Sequence, residues 1–198
     1  VSPADRLATL LSAVFSPYLV TIATTVAVVA SLHDVDAWLF GAPMLVCSSL
    51  VPLGYTGWLL ARGQVTDLHV AVREHRGRIF AVSTLATALC TAWLWWAEAP
   101  PVLFAMGCSY VVNGVAFGLA NQRSKLSMHT GVLAGCGVLL GRVFGNAVAM
   151  ACWSAVLGVG WARQRRGKHT AWQAVAGALL GSVLTALVLA LLLARPGP

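Results

Sequence analysis

Three short polar stretches hold nearly all the residues able to do chemistry in this chain. They are Asp67-x-His69-x3-Arg73-Glu74-His75-Arg76, then Lys125-Leu126-Ser127-Met128-His129, then Arg163-x5-His169-x3-Gln173. Four of the five histidines lie in them, beside several Arg and Lys. Guanidinium groups bind phosphate oxygens in bidentate geometry and neutralise the charge that builds on the equatorial oxygens during in-line displacement. One imidazole can attack phosphorus while another protonates the departing oxygen. That chemistry is phosphoryl transfer, and it calls for no metal or cofactor. A solvated basic rim that binds lipid headgroups is the plainer reading of any single stretch. Three stretches converging on one face of a bilayer, where ionisable groups are costly, point to a site.

The elements that must position these residues are membrane helices. Of 198 residues, 59% are hydrophobic and 10% charged, against roughly 25% charged in soluble domains, so the polar minority is too small to cover a soluble exterior. Uncharged or nearly uncharged runs extend over Leu7–Leu32, Ala37–Ala61, Ile79–Ala97, Val102–Gln122, His129–Gly141, Val143–Ala162 and Thr170–Ala194. Most approach or exceed the ~20 residues that cross a bilayer. The expected fold is all-α, a polytopic transmembrane bundle of about seven spans, or six if the short fifth run merges with its neighbour near Arg142–Asn146. The runs are apolar on every face, unlike the alternating segments of a β-barrel. The first is too long for the core of a cleaved signal and reads as an anchor.

Small residues recur one turn apart in Gly114-x3-Gly118, Gly131-x3-Gly135, Gly137-x3-Gly141 and Gly177-x3-Gly181, a pattern that lets membrane helices approach closely. Cys47, Cys90, Cys108, Cys136 and Cys152 all lie within apolar runs and read as packing residues rather than disulfide or zinc ligands. The tryptophans fall mostly near span ends, as headgroup-level anchors. Tyr110 and Asn113 read as interhelical hydrogen-bonding residues, and His33, Asp34 and Asp36 as a solvated loop.

Counting crossings puts the N-terminus and the loops after spans two, four and six on one side. That side holds eleven of the 13 basic residues, leaving Arg142 and Arg195 on the other. Setting aside Arg73, Arg76, Lys125 and Arg163 as phosphate ligands still leaves seven against two. By the positive-inside rule the charged face, with the site, is cytoplasmic, in what is expected to be a bacterial plasma membrane. The net charge of +7 is thereby explained without nucleic acid as a partner. The expected partners are the bilayer and a lipid phosphate.

Ser127-Met128-His129 followed by Arg163-x5-His169 resembles the second and third motifs of the type 2 phosphatidic acid phosphatase family, which read Pro-Ser-Gly-His and Ser-Arg-x5-His-x3-Asp. The family's first motif, Lys-x6-Arg-Pro, is matched in outline by His69-x6-Arg76-Gly77, with Arg73 a second candidate for the same oxygen-binding duty. The resemblance spans about residues 67–181. It implies a lipid-phosphatase-like core in which His169 is the nucleophile that forms a phosphohistidine and His129 the general acid. Arg76, Lys125, Ser127 and Arg163 would hold the phosphate, while Asp67 and His69 are auxiliary candidates.

The chain departs from the family in three ways. Gln173 replaces the Asp of the third motif, so an amide oxygen would orient the His169 ring without a carboxylate's charge. Leu126 and Met128 replace Pro and Gly in the second motif. An apolar hairpin, Ile79 to Gln122, separates the first two motifs. The expected function is hydrolysis of a polyprenyl, isoprenoid or phosphatidic-acid-type lipid phosphate. The alternatives are a lipid-phosphate transporter that binds without cleaving and an assembly protein with weakened turnover.

Overall fold

Proline and glycine decide where the helices start, bend and turn. The computed structural model describes residues 2–65 and 76–193, with Arg76 described by its backbone alone, and the regular elements among them are all helical. They are α1 (Pro3–Val14), α2 (Pro17–Ala30), α3 (Ala37–Leu45), α4 (Val51–Ala61), α5 (Arg76–Trp96), α6 (Pro101–Asn121), α7 (Met128–Phe144), α8 (Asn146–Arg165) and α9 (Ala171–Leu193). A π-helical turn, Val46–Leu50, joins α3 to α4.

The first apolar run is not the single straight span expected over Leu7–Leu32. It is a helix pair bent by 51°. Pro17 has no N–H to continue α1 and disfavours helical geometry at Ser16, whose backbone is extended and whose hydroxyl accepts from Leu19 N–H at 3.5 Å. In the second run, Pro52 cannot donate to the carbonyl four residues back. The helix widens just before it, and Val51 N–H reaches Val46 O across a π turn.

Among the described residues each of the seven apolar runs is mainly helical, but the runs are not equal. Four helical segments are long and apolar enough to cross a bilayer: Ala37–Ala61, Gly77–Trp96, Pro101–Asn121 and Ala171–Leu193. The bent pair makes a fifth if it counts as one span. The chain is therefore a membrane protein with four to five candidate spans among its described residues. α7 is apolar but only 17 residues long, and α8 carries Arg163, Gln164 and Arg165 in its last turn.

The glycine pairs set the packing. Gly131 and Gly135 on α7 face Gly177 and Gly181 on α9, and the two helices run parallel. A Cβ on Gly177 would lie 2.5 Å from the Ser127 carbonyl oxygen, and one on Gly135 2.9 Å from Thr185 Oγ1. Gly137 and Gly141 pack on Cys152 and Ala149 of α8, so α7 and α8 form an antiparallel hairpin turned at Gly145, where φ is +93°. Gly114 and Gly118 pack on Thr84 and Phe80, closing the α5–α6 hairpin. In lipid, such close backbone approach gains dispersion contacts that the hydrophobic effect does not supply between spans.

These pairings gather one end of the bundle. Ser127 N–H donates to Gln173 O at 3.1 Å, bringing the starts of α7 and α9 together. Arg165 Nε donates to Asp5 Oδ1 at 2.8 Å, bringing the end of α8 to the start of α1. At the other end, His33, Asp34, Val35 and Asp36 form an exposed turn in which Asp34 Oδ1 accepts from Asp36 N–H at 2.9 Å. The five cysteines are free thiols, as expected of packing residues.

Candidate functional site

The Arg-x5-His spacing is the length of one helix stop and one helix start. α8 ends in a Schellman turn: Gly167 sits at φ +62°, its N–H donates to Gln164 O at 2.8 Å, and Lys168 N–H donates to Arg163 O at 3.0 Å. His169 N–H also reaches Arg163 O, at 3.4 Å. Thr170 then caps α9, its hydroxyl accepting from Gln173 N–H at 3.3 Å. Gln173 answers by accepting Thr170 N–H on Oε1 at 3.1 Å, completing a capping box. Arg163 in the last turn of α8 and His169 just before α9 are thereby held a fixed step apart.

His169 Nδ1 lies 3.1 Å from Lys125 O. A carbonyl only accepts, so Nδ1 carries a proton, and in a neutral ring the lone pair is then on Nε2. The orienting role expected of Gln173 therefore belongs to the Lys125 carbonyl, and the Gln173 oxygen goes to the helix cap. Ser127 is wholly buried as the N-cap of α7, and Thr130 N–H donates to its hydroxyl at 3.4 Å. His129 follows in the first turn of α7, where backbone N–H groups lack intrahelical acceptors and the dipole is positive.

His129, Arg163 and His169 are 4%, 3% and 7% exposed. All three line one cavity of about 180 Å³ whose walls come from α2, the π turn and the start of α4, α5, α6, α7, α9 and, through Arg163, the end of α8. Ser127 and Gln173 are tied into the caps of the two helices that supply the site. Asp67, His69 and Arg73 lie outside the described residues, as does the Arg76 side chain.

In the rest of the cavity wall the sequence marks Tyr110 and Asn113 as interhelical and several glycines and Cys136 as packing residues, and none of them as part of a site. Ser83, Thr87, Ser109, Asn113 and Thr185 line it beyond the imidazoles. Asn113 was read only as an interhelical residue. It is one, donating from Nδ2 to Thr185 Oγ1 at 3.0 Å and to Ser109 O at 2.9 Å. The recurrence of Ser83, Thr87 and Thr91 at four-residue intervals, on one face of α5, was the available signal. Compared with known proteins, this chain matches no family model, no curated protein and no solved structure.

Proposed function

We propose that this protein is an integral membrane phosphatase that hydrolyses a polyprenyl, isoprenoid or phosphatidic-acid-type lipid phosphate on the cytoplasmic face of a seven-span bundle. The observation that carries the reading is the burial of Arg163, His129 and His169 around one cavity in an apolar bundle. A guanidinium at such a cavity offers the planar, bidentate donors that fit phosphate oxygens. Two imidazoles beside it supply the nucleophile and the acid that a phosphate ester needs.

In the first step the His169 Nε2 lone pair forms a bond to phosphorus as the ester P–O bond breaks. The departing electron pair stays on the lipid oxygen, which takes a proton from His129. Water, giving a proton to the now neutral His129, then attacks the phosphohistidine; the P–N bond breaks, which releases inorganic phosphate and restores both the Nε2 lone pair and the His129 proton. Arg163 neutralises the equatorial oxygens in both steps, and the Lys125 carbonyl holds the ring tautomer throughout.

The test is phosphate release from a panel of lipid phosphates in detergent, with and without vanadate. Vanadate, which takes up the pentacoordinate geometry of the transition state, should inhibit. His129→Ala and His169→Ala should each lose at least about a hundredfold in turnover. Binding of lipid phosphates with no release by the wild-type protein would reject hydrolysis in favour of a carrier or assembly role.

A further inference from the structure

Beyond the imidazoles the cavity wall is mainly apolar, and the side-chain oxygens set into it present chiefly hydrogen-bond acceptors. Ser83 Oγ donates to Ile79 O at 2.6 Å, Thr87 Oγ1 to Ser83 O at 2.8 Å and Ser109 Oγ to Ala105 O at 2.8 Å. On the α2 side, Thr21 Oγ1 donates to Pro17 O at 2.9 Å. Thr56 commits its proton to Pro52 O at 2.8 Å, so Tyr18 OH is the donor in its 3.1 Å bond to Thr56 Oγ1. A hydroxyl has one proton and two lone pairs, and in these five lining residues the proton is already engaged. Ser48, Thr84, Tyr110 and Thr185 are the rotatable remainder, and Thr185 Oγ1 accepts from Asn113 Nδ2.

Asn113 sharpens the asymmetry. Its Nδ2 faces the Ser109 carbonyl, which fixes the amide orientation, since a flipped amide would set two acceptors against each other. Its Oδ1 is buried with no partner among the described residues. An unpaired buried acceptor is costly, and a donor arriving in the cavity would remove that cost. The wall also has a definite depth. Asn113 bonds Thr185, which packs against Gly135, six residues beyond His129 on α7 and so roughly 9 Å farther into the bundle.

We infer that the cavity recognises a hydrogen-bond donor, a hydroxyl, amine or amide N–H, on the lipid chain several bonds from its phosphate, with Asn113 the specificity-determining residue. This rests on the lipid-phosphatase reading and narrows it, because a bare polyprenyl chain carries no such donor. The cations hold the phosphate at one end of the cavity, and the hydroxyl ladder of α5 and α6 sorts chains at the other.

The test uses dodecyl phosphate and its monohydroxy isomers with the hydroxyl at C3, C6 or C9, together with the matching phosphonates, whose C–P bond is not hydrolysed. Phosphate release gives kcat/KM for the esters, and thermal shift in detergent gives Kd for the phosphonates. One hydroxylated isomer should exceed the plain chain about tenfold in both readouts, the value of one well-placed hydrogen bond. Asn113→Leu should bring that ratio close to one, and Ser109→Ala, which keeps the shape of the wall, should lower it in part. Equal affinity of the wild-type protein for all four phosphonates would overturn the inference and leave a water-lined cavity. So would an unchanged ratio in Asn113→Leu. Absence of phosphate release from every ester would reject the phosphatase reading alone, since the phosphonate ratios still decide the donor preference.

Discussion

His169 and Gln173 divide their duties differently from what their spacing suggests. The His169 ring is oriented by a main-chain carbonyl, whereas Gln173 closes a capping box with Thr170. Their substitutions should therefore separate. Gln173→Ala should cost about 0.5–2 kcal/mol of stability, visible as a lower Tm in detergent, with phosphate release at low temperature falling less than tenfold. His169→Ala should leave Tm near wild type and remove turnover. If Gln173→Ala instead abolished turnover at unchanged Tm, the amide would be acting on the imidazole and the capping account would be wrong. The Thr-x-x-Gln pattern of a capping box is present in the sequence, but the same residues fit a motif that ends in Asp, where the side chain's charge rather than helix geometry matters. Lys125 was legible as a member of the cluster, and the part its carbonyl plays was not. Main-chain atoms are the same at every residue and leave no mark on sequence.

Among the elements, turns and glycine contacts carry the site. Gly167 adopts φ +62° so that the Schellman turn can reverse the chain between Arg163 and His169. A Cβ there costs about 1–2 kcal/mol in the left-handed region. Gly167→Ala should lower Tm and kcat together, and Gly167→Asn should recover much of both, because Asn tolerates that region. Equal damage by both substitutions would mean that something other than backbone conformation is at stake. Gly177 is a stricter case, since a side chain would meet the Ser127 main chain rather than a movable group. Gly177→Val should destabilise by about 1–3 kcal/mol or more and separate the starts of α7 and α9. Gly118→Ala is the control, its Cβ falling at an ordinary 3.6 Å from Phe80 Cβ. The four glycine pairs were readable because small residues at four-residue spacing have one common use between membrane helices. The Ser16-Pro17 bend was equally present in the sequence, but hydropathy averages over it and reported a continuous run.

On the scale of the whole molecule, the length of α7 bears on how α7 and α8 sit in the bilayer. α7 rises only about 25 Å over its 17 residues, against a hydrocarbon core of ~30 Å, so alone it is short for a span. Yet much of α7, including Leu133, Ala134, Cys136 and Leu139, is buried among α2, α8 and α9 rather than turned to lipid. A helix enclosed by others need not match the membrane thickness. The proposed seven crossings then place Asn146, at the α7–α8 turn, on the same side as Asp36 and opposite Gln64. All three are exposed positions. Single substitutions Asp36→Cys, Gln64→Cys and Asn146→Cys can be probed with a membrane-impermeant maleimide on intact cells, with the wild-type protein and its five thiols as background. Asp36→Cys and Asn146→Cys should label from outside, and Gln64→Cys only after permeabilisation. Labelling of Asn146→Cys from the same side as Gln64→Cys would make α7–α8 a re-entrant hairpin and reduce the count to five. The site would survive that outcome, because the starts of α7 and α9 and the end of α8 share one end of the bundle in either case. Reversed labelling of both Asp36→Cys and Gln64→Cys would instead move the cations to the outer face, and with them the leaflet from which a lipid phosphate is drawn.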